Sequence, residues 1–334
     1  MNSKSVKNVL KTLFSLVLGL VIVWMLYRET DMNELWKIAK SANFGIILFS
    51  LVFGLLGNIL RALRWELFIN SLGYHPKRAS LIFATLGNFA VNFVLPRAGD
   101  IWRCGVVSRY DKIPFAKTLE TFLVDKVVEV ITGIFIISMS VVLNIDFFVA
   151  FFNQNPGFQH SFNQITGSVW IYVALMVLIT LVVLVFTVFK NNFVVKKVRG
   201  FLLTVKRDLK LIARMEEKRK VIIYTILMWV AFYLYFYICF YAFDFTAGLG
   251  LLAGLIVFGM SNIGISVPVQ GGIGTWHFMV IASLVILGVS RGQAAAFAGA
   301  VFTIQSVWVI LCGVVGILAL PSVKRNNHET KDIT

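Results

Sequence analysis

The 334-residue chain is 58% hydrophobic, only 14% charged, and carries a formal net charge of +15. Soluble domains average about 25% charged residues. Charge-free windows such as 41–60, 147–189, 245–290 and 292–323 therefore exclude the pair of soluble domains that length alone would allow. Lys and Arg lie mainly between the apolar runs, where they set topology, and this placement argues against nucleic acid as a partner.

In chain order, Lys4, Lys7 and Lys11 precede an apolar run to Tyr27 with no small-residue cleavage site, which predicts an uncleaved first span over 9–28. The stretch 32–42, with Leu35, Trp36 and Ile38 beside Lys37 and Lys40, predicts a short helix at the membrane surface. Further spans are expected over 43–67, 116–144, 168–189, 221–243 and 293–320, each being apolar over about the 20 residues a crossing needs. The stretch 190–220 holds eleven Lys or Arg against three acids. It is expected as a cytoplasmic loop or a surface-lying amphipathic helix. Basic residues at the N-terminus, after the second span and in the tail put both termini in the cytoplasm.

Two segments, 79–112 and 247–289, must start and end on the same side for that topology to close, and each carries a break. LGNFAVNFVLPRAGDI (86–101) and FGMSNIGISVPVQGGI (258–273) align at an offset of 172, so that Gly87, Pro96, Gly99 and Ile101 meet Gly259, Pro268, Gly271 and Ile273. Three spans separate the copies, which makes them antiparallel, a recurrent transporter design. The expected fold is an all-α polytopic membrane protein. It has about six full spans plus two broken or re-entrant helical hairpins arranged as an inverted repeat. A single transmembrane domain covers 1–322, and a cytoplasmic tail covers 323–334.

Pro removes a helix hydrogen bond and Gly permits positive φ. Backbone opened at membrane depth is tolerated where it is buried in protein or lines a polar cavity. A packing kink is the alternative. A helix starting after Gly271–Gly274 is expected to aim free N–H groups at an anion. In the span from 116, Asp125, Lys126 and Glu129 share one helix face. They form either a neutralising pair or a polar cavity wall, since charge at this depth is costly. Arg97 and Asp100 lie in the first break, and Arg103 follows. Arg61 and Arg64 add cations, with Arg64 expected to snorkel to the interface. His277 stands alone, without metal spacing or a Ser–His–Asp pattern, and is expected to act as a hydrogen-bonding helper. Cys104, Cys239 and Cys312 are too far apart for a zinc or redox motif. No cofactor or metal is expected.

Three of these stretches carry a resemblance. LPRAGDIWRCGVVSR (95–109), LVDKVVEV (123–130) and PVQGGIGTWH (268–277) resemble, in order, the charged and glycine-rich elements of the lysylphosphatidylglycerol synthase transmembrane family, also called flippase-like membrane proteins. Asp100 and Arg103 stand in the first element's Glu and Arg places. Asp125, Lys126 and Glu129 stand in the second element's charged places, and His277 stands where the third usually has Glu. Bifunctional members carry a soluble aminoacyl-transferring domain that this sequence does not show, so lysyl transfer is not expected of it. The resemblance implies movement of a phospholipid or lipid-linked headgroup between leaflets of the cytoplasmic membrane. The expected headgroup site is Pro96, Arg97, Gly99, Asp100, Arg103, Asp125, Lys126, Glu129, Pro268, Gln270, Gly271, Gly272, Gly274, Trp276 and His277. A membrane transferase acting on a lipid-linked donor, and a non-transporting scaffold for a cell-envelope enzyme, are the alternatives. A homo-oligomer or an envelope-enzyme partner is left open.

Overall fold

The computed structural model describes residues 21–25, 27–28, 32–94, 98–145, 147, 149, 215, 217–267 and 269–329. The expected spans at 168–189 and over most of 9–28, the basic stretch up to 214, and Pro96, Arg97 and Pro268 lie outside these residues. So does the Gln270 side chain. The chain divides into one compact unit of Met1–Asn144 with Met215–Thr334 and a second of Ile145–Arg214. The first holds every element described below.

The regular elements among the described residues are all helical. We label them α1 (Met32–Ser41), α2 (Phe44–Asn70), α3 (Arg78–Val94), α4 (Ala98–Asp111), α5 (Phe115–Leu143), α6 (Lys218–Tyr237), α7 (Leu251–Ser266), α8 (Thr275–Ile286) and α9 (Arg291–Glu329). A 3₁₀ stretch, Ile238–Ala242, extends α6. Among the described residues, four segments are long and apolar enough to cross a membrane: Phe44–Asn70, Phe115–Leu143, Lys218–Ala242 and Arg291–Val323. Their outward faces carry Leu48, Phe135, Val142 and Leu318 exposed, as expected where the solvent is lipid. On α1 the Lys40 ammonium sits 5.1 Å from the exposed Trp36 ring, suited to a membrane surface.

The other apolar helices are shorter than a typical crossing. At 1.5 Å per residue, α3 and α7, with 17 and 16 residues, reach about 24–26 Å against a hydrocarbon core of about 30 Å. Each forms a hairpin with the helix after it. In the first, Asp111 at the end of α4 accepts from the Lys77 backbone N–H at 3.0 Å and pairs with the Ser80 hydroxyl. A carboxylate from the last turn of α4 thereby caps the first turn of α3, and the hairpin's two ends are tied together. At the tip of the second hairpin, the Thr275 hydroxyl donates to the Gly264 carbonyl at 2.7 Å. A Cβ at Gly264 would lie 2.8 Å from Trp276 Cα, so only glycine lets α7 approach the start of α8 this closely.

Helix α9 carries both hairpins. Gly313 and Gly316 let it approach α3 at Ala90, Phe83 and Gly87, a small-residue contact of the kind that joins helices in lipid. Trp276 and His277 of α8 pack on Phe302 of α9. A core of Phe236, Phe240, Phe243, Phe258 and Phe297 fills the space between α6, α7 and α9. Where α6 tightens into 3₁₀ geometry, the Tyr235 carbonyl accepts from Gln305 Nε2 at 2.9 Å. Shifted by 172 residues, α2, α3, α4 and α5 fall on 216–242, 250–266, 270–283 and 287–315. These ranges lie against the helical segment 218–242, α7, α8 and the first part of α9. Gly87 is closely approached by Trp102 and Ile317, and Gly259 by Ser140.

Candidate functional site

Charged residues from α2, α4 and α5 meet in one cluster. Arg61 and Arg64 are one turn apart on α2, as Asp125 and Glu129 are on α5, so each pair faces one direction. Arg64 Nε donates to Asp125 Oδ1 at 2.8 Å, and its Nη1 donates to the Thr225 hydroxyl of α6 at 3.3 Å. Arg61 Nη2 lies 3.5 Å from Glu129, Arg64 Nη2 4.0 Å from Glu129, and Arg103 Nη2 3.8 Å from Asp125. Lys126 reaches Glu129 at 3.3 Å from the rim, with 45% of its side chain exposed. The Arg103 guanidinium is held between Trp65, 4.8 Å away, and Phe122, 4.3 Å away. Trp65 is itself fixed by its indole N–H on the Thr121 hydroxyl at 3.1 Å.

Arg64 corrects a sequence expectation. It does not snorkel: Arg64 and Asp125 are both 0% exposed. Six residues of helix separate Arg64 from the end of α2, about 9 Å, and an ion pair with a hydrogen-bonded carboxylate holds the charge inside instead. Asp125 lies ten residues into α5, about 15 Å from its start. The Lys126–Glu129 pair weighed from the sequence does form, but on the outer side of a larger cluster.

That cluster is cation-rich. Arg61, Arg64, Arg103 and Lys126 face Asp125 and Glu129, and the Asp100 carboxylate adds to the field at Arg103. Arg61 Nε, Arg64 Nη2 and Arg103 Nε are buried without a hydrogen-bond partner, as is Asp125 Oδ2. Unpaired donors thus outnumber unpaired acceptors, a costly state for buried charge and one that a multivalent anion relieves.

The first break borders this cluster along α4. Gly99, in the first turn, donates its N–H to Asn92 Oδ1 at 2.9 Å, and Asn92 Nδ2 donates to Asn88 Oδ1 at 3.1 Å. Asp100 is half-buried in the same turn, one helical turn before Arg103 and on the same face. The two asparagines were not singled out by sequence reasoning. Their i, i+4 spacing inside a charge-free run was the available signal.

The second break is organised differently. Gly271, Gly272 and Gly274 take φ of 62°, 72° and 85°, where a side chain is strained. The N–H groups of Gly272 and Gly274 do not stand free for an anion. They donate to the Val269 carbonyl at 3.2 Å and to His277 Nδ1 at 3.4 Å. His277, at the third position of α8, thus serves as the acceptor of a capping box, and Nδ1 as acceptor implies the proton on Nε2. Its ring packs 4.5 Å from Phe302 and 5.5 Å from Trp276, with Tyr27 at 6.2 Å. Replacing His277 with Ala should cost about 1 kcal/mol of stability, and Gln, whose amide oxygen can accept the same bond, should recover most of it. Thermal unfolding in detergent measures both.

The structure therefore brings together Arg103, Asp125, Lys126 and Glu129, adds Arg61, Arg64 and Thr225, and sets Gly99 and Asp100 beside them. Trp276 and His277 belong to an aromatic group around Phe302. Among the described residues, no group of three or more His, Cys, Asp or Glu side chains is arranged to hold a metal ion.

No match was found among curated proteins or solved structures. A family model described as the lysylphosphatidylglycerol synthase TM region matches residues 12–313, which contain the whole arginine–carboxylate cluster and both hairpins. The chain belongs to the lysylphosphatidylglycerol synthase transmembrane-region family.

Proposed function

We propose that the chain is a lipid translocase of the cytoplasmic membrane and that its arginine–carboxylate cluster takes the phosphate of a phospholipid headgroup. The observation that carries this reading is the cluster's imbalance. Among the described residues, four cations pair directly with two carboxylates while Asp100 acts on Arg103 from farther off, and three guanidinium groups keep a buried N–H without a partner. Within the apolar part of a membrane protein, excess charge is expensive. A lipid phosphate is the anion available at that depth, and arginine suits it geometrically. Membership of a membrane family concerned with lipids points the same way.

The helical order at an offset of 172 supports an inverted repeat in which α2–α5 and α6–α9 are the halves. The two short hairpins are then re-entrant, entering from opposite faces. Each hairpin's first arm rests on the other half: α3 on α9 through Gly313 and Gly316, and α7 on α5 through the bond from the Ser140 hydroxyl to the Leu255 carbonyl, 3.0 Å. Rocking of one half against the other would then move both breaks together, as alternating access requires. The Lys and Arg distribution supports a topology with both termini, and the cluster's open Lys126 rim, toward the cytoplasmic side. The second break acts in this scheme as a capped tight turn rather than as the anion site.

Leaflet-resolved exchange in proteoliposomes tests the proposal. The wild type should exceed empty vesicles for at least one phospholipid. Arg61→Gln removes a cation while leaving Glu129 paired with Lys126 and near Arg64, and should cut exchange about tenfold or more without unfolding the protein. Wild-type exchange no faster than empty vesicles across a headgroup panel would sink the proposal, as would a fully active Arg61→Gln protein.

A further inference from the structure

Two arginines of the cluster rest on aromatic rings. The Arg61 guanidinium lies 5.0 Å from the centre of the Phe232 ring on α6, and that of Arg103 lies between Phe122 and Trp65. The rings have supports of their own. Phe232 fills a slot over Gly57, one turn before Arg61 on α2, where a Cβ would lie 2.6 Å from the ring. Trp65 is tied to the Thr121 hydroxyl. Arg64 is held in another way, with Nε spent on Asp125 and Nη1 on Thr225. Its ion pair is tight at 2.8 Å, whereas Arg61 stands 3.5 Å from Glu129 and Arg103 3.8 Å from Asp125. A ring attracts a guanidinium through its π-face and uses up no N–H. Arg61 and Arg103 are thus fixed in place while their Nε donors stay buried and unpartnered.

We infer that Phe232, Phe122 and Trp65 are positioning residues for phosphate binding: they hold Arg61 and Arg103 by their faces, so that the edges of both guanidinium groups stay open to phosphate oxygens. The inference rests on the translocase reading. A close carboxylate would hold an arginine as firmly, but it would neutralise the charge and occupy the edge that a phosphate uses. A ring does neither, and it stabilises the desolvated cation while the site is empty. Phe232 and Thr225 are seven residues apart on α6, about 20° round the helix. One face of α6 therefore holds both arginines of α2, Arg61 by a ring and Arg64 by a hydroxyl. If the rings only filled space between helices, an aliphatic side chain of similar size would serve as well.

The test is a double-mutant cycle in proteoliposomes. Leaflet exchange is followed against the mole fraction of phosphatidylglycerol and of phosphatidylethanolamine, two probes that share the phosphodiester. Phe232→Leu should raise the mole fraction for half-maximal exchange about fivefold, the size expected of one cation–π contact, with a smaller loss in maximal rate. Adding Phe232→Leu to Arg61→Gln should cause no further loss, because the ring acts through the arginine. Phe122→Leu should show the same half-saturation shift, and it decides the matter if Phe232→Leu does not purify as a single species. Wild-type half-saturation in the Leu variants overturns this inference and leaves the translocase reading standing. A loss that adds in full to that of Arg61→Gln also overturns it, by assigning the ring to packing. Wild-type exchange no faster than empty vesicles across the headgroup panel overturns both readings.

Discussion

Asp125→Ala is expected to lower stability by about 3–5 kcal/mol, the cost of breaking a buried ion pair from one side. Asp125 is fully buried and accepts the 2.8 Å bond from Arg64, with Arg103 at 3.8 Å. Its loss leaves two guanidinium groups without their nearest carboxylate. Arg64 keeps only Thr225 as a neutral partner and Glu129 at 4.0 Å. Melting in detergent should show a large drop, or the protein should fail to purify as a single species. The double variant Arg64→Met, Asp125→Leu separates stability from function. An apolar pair of similar volume often replaces a buried ion pair at no net cost, so much of the lost stability should return. Lipid exchange should stay impaired, because a buried cation is gone. A double variant as unstable as Asp125→Ala would assign the cost to shape rather than to unpaired charge.

The second large effect belongs to Gly99. A Cβ there would collide with the Asn88 carbonyl and side chain and lie 2.8 Å from Asn92 Cγ. Two of these obstacles belong to a hydrogen-bonded pair that also receives the Gly99 N–H. Gly99→Ala should therefore cost about 2–4 kcal/mol, combining overpacking with a lost or lengthened hydrogen bond. Gly105, on the same helix, supplies the control. A Cβ at that position meets nothing within 4 Å, so Gly105→Ala should be neutral or stabilise by up to about 1 kcal/mol through helix propensity. Chemical or thermal unfolding of the two variants side by side checks the contrast. Equal effects would mean that the hairpin tip is not closely packed.

The parts of this architecture that were legible in the sequence depend on local chemistry. The ends of α3 at Val94 and of α7 at Ser266 are written in the Pro and Gly that follow them, because these residues change what the backbone can do wherever they occur. The shared face of Asp125, Lys126 and Glu129 follows from helix geometry. The misreadings concern tertiary facts. Snorkelling of Arg64 depends on how far the helix end lies and on whether a carboxylate waits inside, and Asp125 lies 61 residues away. The N–H groups of Gly272 and Gly274 looked available because a helix start exposes donors. The Val269 carbonyl and His277 Nδ1 take them up within the turn. Asn88 and Asn92 are easily passed over because neutral amides do not interrupt an apolar run, and only their i, i+4 spacing marks them.

The central claim is that the cluster of Arg61, Arg64 and Arg103 holds a lipid phosphate. The most direct measurement is an experimental structure of the purified protein in a phospholipid nanodisc, at a resolution that shows headgroups. Phosphate density is expected within hydrogen-bonding distance of at least two of Arg61 Nε, Arg64 Nη2 and Arg103 Nε, the donors now without partners. A cluster closed on itself, with those donors taken by carboxylates or water and every resolved phosphate outside on the membrane surface, would contradict it.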